Sequence, residues 1–108
     1  MLHCSMTNLA DLQRTSLQDL AAEITHARRQ EALGRLALLC YCQVRPWARR
    51  AQEDELAARA WMLSTRAAPT SRTAFLRTID ALIAELEGAC ERAGLRGEAL
   101  ALRQARGA

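Results

Sequence analysis

The chain is poor in the signals that build β-structure. It has few β-branched residues, no extended alternation of apolar and polar positions, and none of the Asn-Gly or Asp-Gly pairs that close hairpins. A sheet is therefore excluded as the organising element, and the expectation is an all-α protein. Long hydrophobic runs are also missing. The longest extends only from Leu36 to Cys42, far short of the roughly 20 residues of a membrane span. The opening "MLHCSMTN" has no basic stretch followed by an apolar one, so the expectation is a soluble, unexported, cytoplasmic protein that does not engage a membrane. Lysine is absent: all 15 basic residues are arginine, which with the abundant alanine and leucine reads as a coding-composition bias. Aromatic residues make up 4% of the chain, too few for an extended base-stacking platform.

Motifs for catalysis are lacking as well. There is no glycine-rich phosphate loop, no H-E-x-x-H and no CxxC pair. The histidines are His3 and His26, and neither joins a recognisable triad, so His26, beside Arg28 and Arg29, reads as a solvated or helix-capping residue. Four cysteines in a chain without a leader suit a reducing compartment better than a disulfide framework. Cys40 and Cys42 stand two apart, which on a helix points them about 200° away from each other. They cannot share one metal there. Both are expected to be small packing residues, with no metal, cofactor or catalytic site.

What is present is helical period. With 50% hydrophobic and 25% charged residues, the chain has the balance of a globular protein. At 108 residues it forms a single domain, 1–108, with residues 1–6 and 107–108 as flexible ends. A first helix opens near Thr7 or Asn8 and carries Leu9, Leu12, Leu20 and Ile24 at helical spacing. Gly34 suggests a kink or break between Arg29 and Gly34, so residues 9–44 form one kinked helix or two. From Leu33 to Val44 the apolar residues surround the helix, which predicts burial on most sides.

Pro46 is expected to end that helix and to sit in the first turn of the next, running to about Ala67. At 100° per residue this next helix shows two apolar strips, one with Trp47, Ala51, Ala58, Trp61 and Met62, the other with Leu56, Ala60 and Leu63. Ser64 to Arg72 reads as a linker, with Pro69 as breaker and Thr70 or Ser71 as cap. The strongest pattern follows. Phe75, Leu76, Ile79, Leu82, Ile83, Leu86, Ala89, Cys90 and Ala93 fall on one strip, and Gly94-Leu95 supplies a left-handed stop. A short last helix spans Glu98 to Arg106. The expected fold is an all-α, small helical bundle of three to five helices. Its expected core is Leu36, Leu39, Cys40, Trp61, Leu63, Phe75, Ile79, Leu82, Leu86 and Cys90.

Two features bear on function. "RPWARR" places Trp47 beside Arg45, Arg49 and Arg50, combining residue types enriched at protein-interaction hot spots. The plain alternative is a core tryptophan with solvated arginines. Behind the Phe75 strip, Ala74, Ala81, Ala84 and Gly88 form a line of small residues that lets another helix approach, in this chain or another. The reading that follows is a non-catalytic helical interaction protein, an adaptor, chaperone or regulator. It would bind another protein, or a second copy of itself as a dimer, through an apolar helix face with Trp47, Arg49, Arg50 and Trp61 as partner-binding residues. The alternative is a nucleic-acid-binding regulator using Arg28, Arg29, Arg45, Arg49 and Arg50. Residues 28–50 hold six arginines against the one acid Glu31, but the segment that follows is acidic. A third class is a small enzyme whose site carries no recognisable motif.

Overall fold

A computed structural model describes residues 9–65 and 71–107. Among these, the protein is an all-α bundle without strands, built from α1 (Leu9–Arg29), α2 (Leu33–Leu39), a π turn (Cys40–Val44), α3 (Arg45–Arg50), α4 (Asp54–Thr65), α5 (Arg72–Arg92) and α6 (Arg96–Ala105). No helix of the described residues is long and apolar enough to cross a membrane. The expected start at Thr7 or Asn8, the ends at 1–6 and 108, His3, Cys4, Thr70 and the breaker Pro69 lie outside the described residues.

Three helix ends close by the same device. After α5, Leu95 N–H donates to the Cys90 carbonyl at 2.8 Å and Gly94 N–H to that of Glu91 at 3.0 Å, with Gly94 at φ 79°. This is the expected Schellman turn. The break after α1 is identical in form: Ala32 N–H bonds the Ala27 carbonyl at 3.0 Å around Glu31 at φ 51°. The break between Arg29 and Gly34 is thus real, but Glu31 makes it and Gly34 does not. The third follows α3, where Glu53 N–H bonds the Ala48 carbonyl at 2.8 Å around Gln52 at φ 60°. At the other end of α5, Ser71 is the N-cap, its Oγ accepting from Ala74 N–H at 3.0 Å.

Pro46 does not end its helix. The segments α2, π turn and α3 form one continuous rod over residues 33–50, with helical dihedrals at each junction. Arg45 N–H reaches back five residues to the Cys40 carbonyl, which widens the turn immediately before the proline. A proline ring collides with the fourth carbonyl back in a regular α-helix, and a π turn relieves such a collision. The expected break lies six residues later, at Gln52. The helix expected from Pro46 to Ala67 is accordingly two helices. Of its two apolar strips the first is divided, Trp47 and Ala51 at the end of the rod and Ala58, Trp61 and Met62 on α4, while Leu56, Ala60 and Leu63 all lie on α4.

The core gathers Leu17, Leu20 and Ile24 of α1, Leu36, Cys40, Val44 and Trp47 of the rod, Leu56 and Ala60 of α4, Ile79, Leu82, Ile83, Leu86, Ala89 and Cys90 of α5, and Ala99 and Leu102 of α6. The α5 and α6 helices pack as a hairpin, α6 also lies along α1, and α4 folds back on the rod and on α5. Leu36, Leu39, Cys40, Ile79, Leu82, Leu86 and Cys90 are buried as expected, while Leu63 and Phe75 are only partly so.

Three expectations are corrected. Trp61 is 47% exposed, because it lies on the outer face of α4, away from Leu56 and Ala60. Cys42 is exposed, since burial of Cys40 turns its near-opposite neighbour outward. The 33–44 segment is not enclosed: Leu38, Tyr41 and Cys42 form an open side. The small-residue line on α5 is covered only in part, Ala84 remaining exposed, while the flanking Asp80 and Glu87 take contacts from Arg28, Arg103, Arg106 and Gly107 of the same chain.

Candidate partner-binding surface

The open side of the rod and the outer face of α4 meet at Arg45. Its guanidinium carbon stands 4.4 Å from the centroid of the Trp61 ring and 5.8 Å from that of Tyr41, within cation–π range of both. Tyr41 and Arg45 are four residues apart on the rod, which places them on one face, and the tight turn at Gln52 folds α4 back so that Trp61 reaches the same point. Tyr41 is 48% and Trp61 47% exposed. On either side stand Leu38, 65% exposed, and Met62, 44% exposed. Arg45 has no carboxylate in ion-pair range among the described residues; its charge is held by two aromatic faces.

The other predicted residues are distributed differently. Trp47 is only 5% exposed, and its indole N–H donates to the Gln13 carbonyl at 3.0 Å. It fastens the rod to α1 and presents no binding face, so the plain alternative for this residue is the correct one. Arg49 and Arg50 are exposed at the end of the rod. Arg28 is buried and committed to Asp80, Nε to Oδ1 at 2.8 Å and a terminal nitrogen to Oδ2 at 3.1 Å. Arg29 is exposed. Gln13 Nε2 donates to the Arg50 carbonyl at 3.3 Å, and Arg28 lies fifteen residues further along α1. At 1.5 Å per residue, the two ends of the supposed arginine cluster are about 22 Å apart. The five arginines of the nucleic-acid alternative do not form one patch.

Titratable chemistry elsewhere serves packing. Burial pushes the Cys40 and Cys90 thiols up to about 12, with carboxylates near Cys90 adding to the effect. Such thiols are poor nucleophiles and poor ligands at neutral pH. Among the described residues, no three His, Cys, Asp or Glu side chains converge where they could hold a metal. A cleft of about 410 Å³ between α1 and α6 is lined by Thr25, His26, Arg29 and Glu98 with small residues between them. Thr25 Oγ1 is buried there with no hydrogen-bond partner among the described residues, and it is itself closed off from solvent. His26 is exposed, as expected.

Tyr41 and Leu38 are not candidates from sequence, since the 33–44 segment reads as buried all round, and Met62 reads there only as one member of an apolar strip. The signal that identifies Tyr41 is its spacing of four from Arg45. No protein-family model matches the chain, and comparison with curated proteins and with solved structures gives no significant match.

Proposed function

We propose that this chain is a non-catalytic interaction protein, a small helical adaptor, chaperone or regulator that binds a partner protein through the face shared by Tyr41, Arg45 and Trp61. The observation that carries this reading is the half-exposed stack itself, Arg45 held between two rings with Leu38 and Met62 at its margins. Tryptophan, tyrosine and arginine are the residue types most enriched among binding hot spots. The stack also orders these side chains before a partner arrives, which lowers the entropy lost on association. The reading takes the cytoplasm as compartment, where thiols such as Cys40 and Cys90 stay reduced.

The test is capture of partners from the native host by the immobilised full chain, compared with Trp61→Ala and Tyr41→Ala. Both side chains are half-exposed, so circular dichroism should report folded variants. The expected result is a partner recovered by the original chain and at least about tenfold depleted with either variant, the loss typical of one hot-spot residue. Recovery unchanged by both substitutions would reject this face as the binding surface.

A further inference from the structure

We propose that the partner seated on this face is a second copy of the chain, with α4 packed antiparallel on α4 of its counterpart about a two-fold axis at Ala58. The inference rests on the interaction reading above and assigns the partner that the surface chemistry fits.

The outward stripe of α4 consists of Asp54, Glu55, Ala58, Trp61 and Met62, all exposed. Its arrangement is symmetric in position and opposite in chemistry. Glu55 and Trp61 lie three residues on either side of Ala58, and Asp54 and Met62 four residues on either side, the spacings that share a helix face. In an isologous pair, residue i of one copy meets residue j of the other, and j meets i. An antiparallel crossing at Ala58 therefore sets Glu55 of each copy against Trp61 of the other, and Asp54 against Met62. Ala58 at the crossing point lets the axes approach to the short end of the usual 8–10 Å range.

Charge completes the match. Arg45 lies over the Trp61 ring, so a carboxylate arriving at Trp61 also meets a guanidinium. Among the described residues Arg45 has no carboxylate partner, and Glu55 and Asp54 have no cationic one. Two copies supply to each other what each lacks, and the symmetry forms the pairing twice. A foreign helix would have to bring acids and apolar groups in the same register, whereas this chain already carries both. Leu38 and Tyr41 border the end at which the counterpart's α4 begins. A contact centred on one helix of twelve residues falls near or below the roughly 800 Å² per partner of a standard interface. The dimer is accordingly of moderate affinity and dissociates on dilution.

Sedimentation velocity on the full chain, from about 1 µM to about 300 µM, should show a reversible monomer–dimer equilibrium with a micromolar midpoint. Ala58→Arg should abolish the dimer while circular dichroism stays that of the folded protein. Glu55→Arg and Arg45→Glu each oppose like charges across the axis and should raise the dissociation constant about tenfold or more. Mixing these two variants is the decisive step, because a heterodimer of Glu55→Arg with Arg45→Glu has opposite charges at both contacts. The mixture should associate more tightly than either variant alone. A monomer throughout the range, a dimer indifferent to Ala58→Arg, or a mixture no tighter than its components would each overturn the proposal. Loss of partner capture in Trp61→Ala would still stand if the chain is monomeric, so failure of the dimer and failure of the interaction reading are told apart.

Discussion

Arg28, at the end of α1, grips Asp80, in the middle of α5, through two N–H···O bonds, and Asp80 also accepts the Gly107 N–H at 3.2 Å. One carboxylate thus ties together the first long helix, the second and the end of the last. The hydrogen bond that Arg28 donates to Asp80 raises the pKa of Arg28 above its already high ordinary value, so the guanidinium stays charged at physiological pH. The most deeply buried arginine of the basic segment is a structural clasp.

Asp80→Leu should destabilise the protein by about 2–4 kcal/mol, because it leaves a buried guanidinium without its partner. The Asp80 side chain is 25% exposed, which keeps the cost below the upper end seen for fully enclosed pairs. Combining it with Arg28→Met should recover most of the loss, since two apolar groups replace the pair without an orphaned charge. Urea melts of the single and double variants check this, and a double variant no more stable than Asp80→Leu would show that the clasp has another role.

Gln52→Gly should stabilise the fold by about 0.5–1 kcal/mol. Gln52 sits at φ 60°, where a side chain costs about 1–2 kcal/mol, partly offset by the freedom glycine loses on folding. Gln52→Ala retains the strain and should give no such gain. Thermal melts of the three chains distinguish these outcomes; a loss of stability in Gln52→Gly would mean that the glutamine side chain contributes more than its backbone costs.

Stability should fall as the solution becomes alkaline. The folded Cys40 thiol is held up to about 12 by burial, while its ordinary value is 9.0. The unfolded chain therefore releases a proton that the folded chain keeps. Stability is full below the ordinary value and declines between the two by up to about 1.4 kcal/mol per pH unit. Cys90 is shifted in the same direction and adds to the decline. Urea melts between pH 8 and pH 11 measure it, and Cys40→Ala should flatten the slope. At pH 8, alkylation mapped by peptide mass spectrometry should label exposed Cys42 well before Cys40 or Cys90.

Nucleic acid should bind weakly and without dependence on the arginines at the end of the rod. Anisotropy with labelled single- and double-stranded oligonucleotides should give dissociation constants above about 1 µM at physiological salt, the non-specific range. Arg49→Gln with Arg50→Gln should leave the salt slope nearly unchanged. Submicromolar binding whose slope falls by about 2 in the double variant would instead favour nucleic-acid recognition.

The parts legible in the sequence are those where one residue type enforces one geometry. Ser71 caps α5, Gly94 stops it, and the Phe75 to Ala93 strip orients it, each through a local chemical requirement. Gln52 and Glu31 adopt the same left-handed turn as Gly94 without a glycine of their own, so nothing local marks the helix end at Gln52, and the one at Glu31 is signalled only by nearby Gly34. The missed break at Gln52 explains the misassigned tryptophans. Read on one continuous helix, Trp47 and Trp61 share a strip; with α3 and α4 separated, one enters the core and the other faces out. Arg45 was visible only as a charge, because its role depends on a ring sixteen residues away that the turn at Gln52 brings beside it.

The π turn makes the number of residues in the rod matter more than their identity. Reaching back five residues instead of four inserts one extra position, a lag of about 100° for everything that follows. With that lag Val44 and Ala48 line up with Leu36 and Cys40, Trp47 falls beside Leu39, and Gln43 turns to water. Deleting a single residue between Cys40 and Val44 would let the rod close into an uninterrupted α-helix, at the cost of renewed collision at Pro46. With the extra position gone, Trp47 and Arg45 would keep their facing, whereas straightening the turn at full length would advance everything after it by about 100°, swinging the Trp47 indole away from Gln13 and carrying Arg45 off the Trp61 ring. The segment behaves like a vernier: it takes up one surplus residue, so exchanging its outward side chains or removing that residue leaves the alignment standing, whereas adding another misaligns the core and the outer face together.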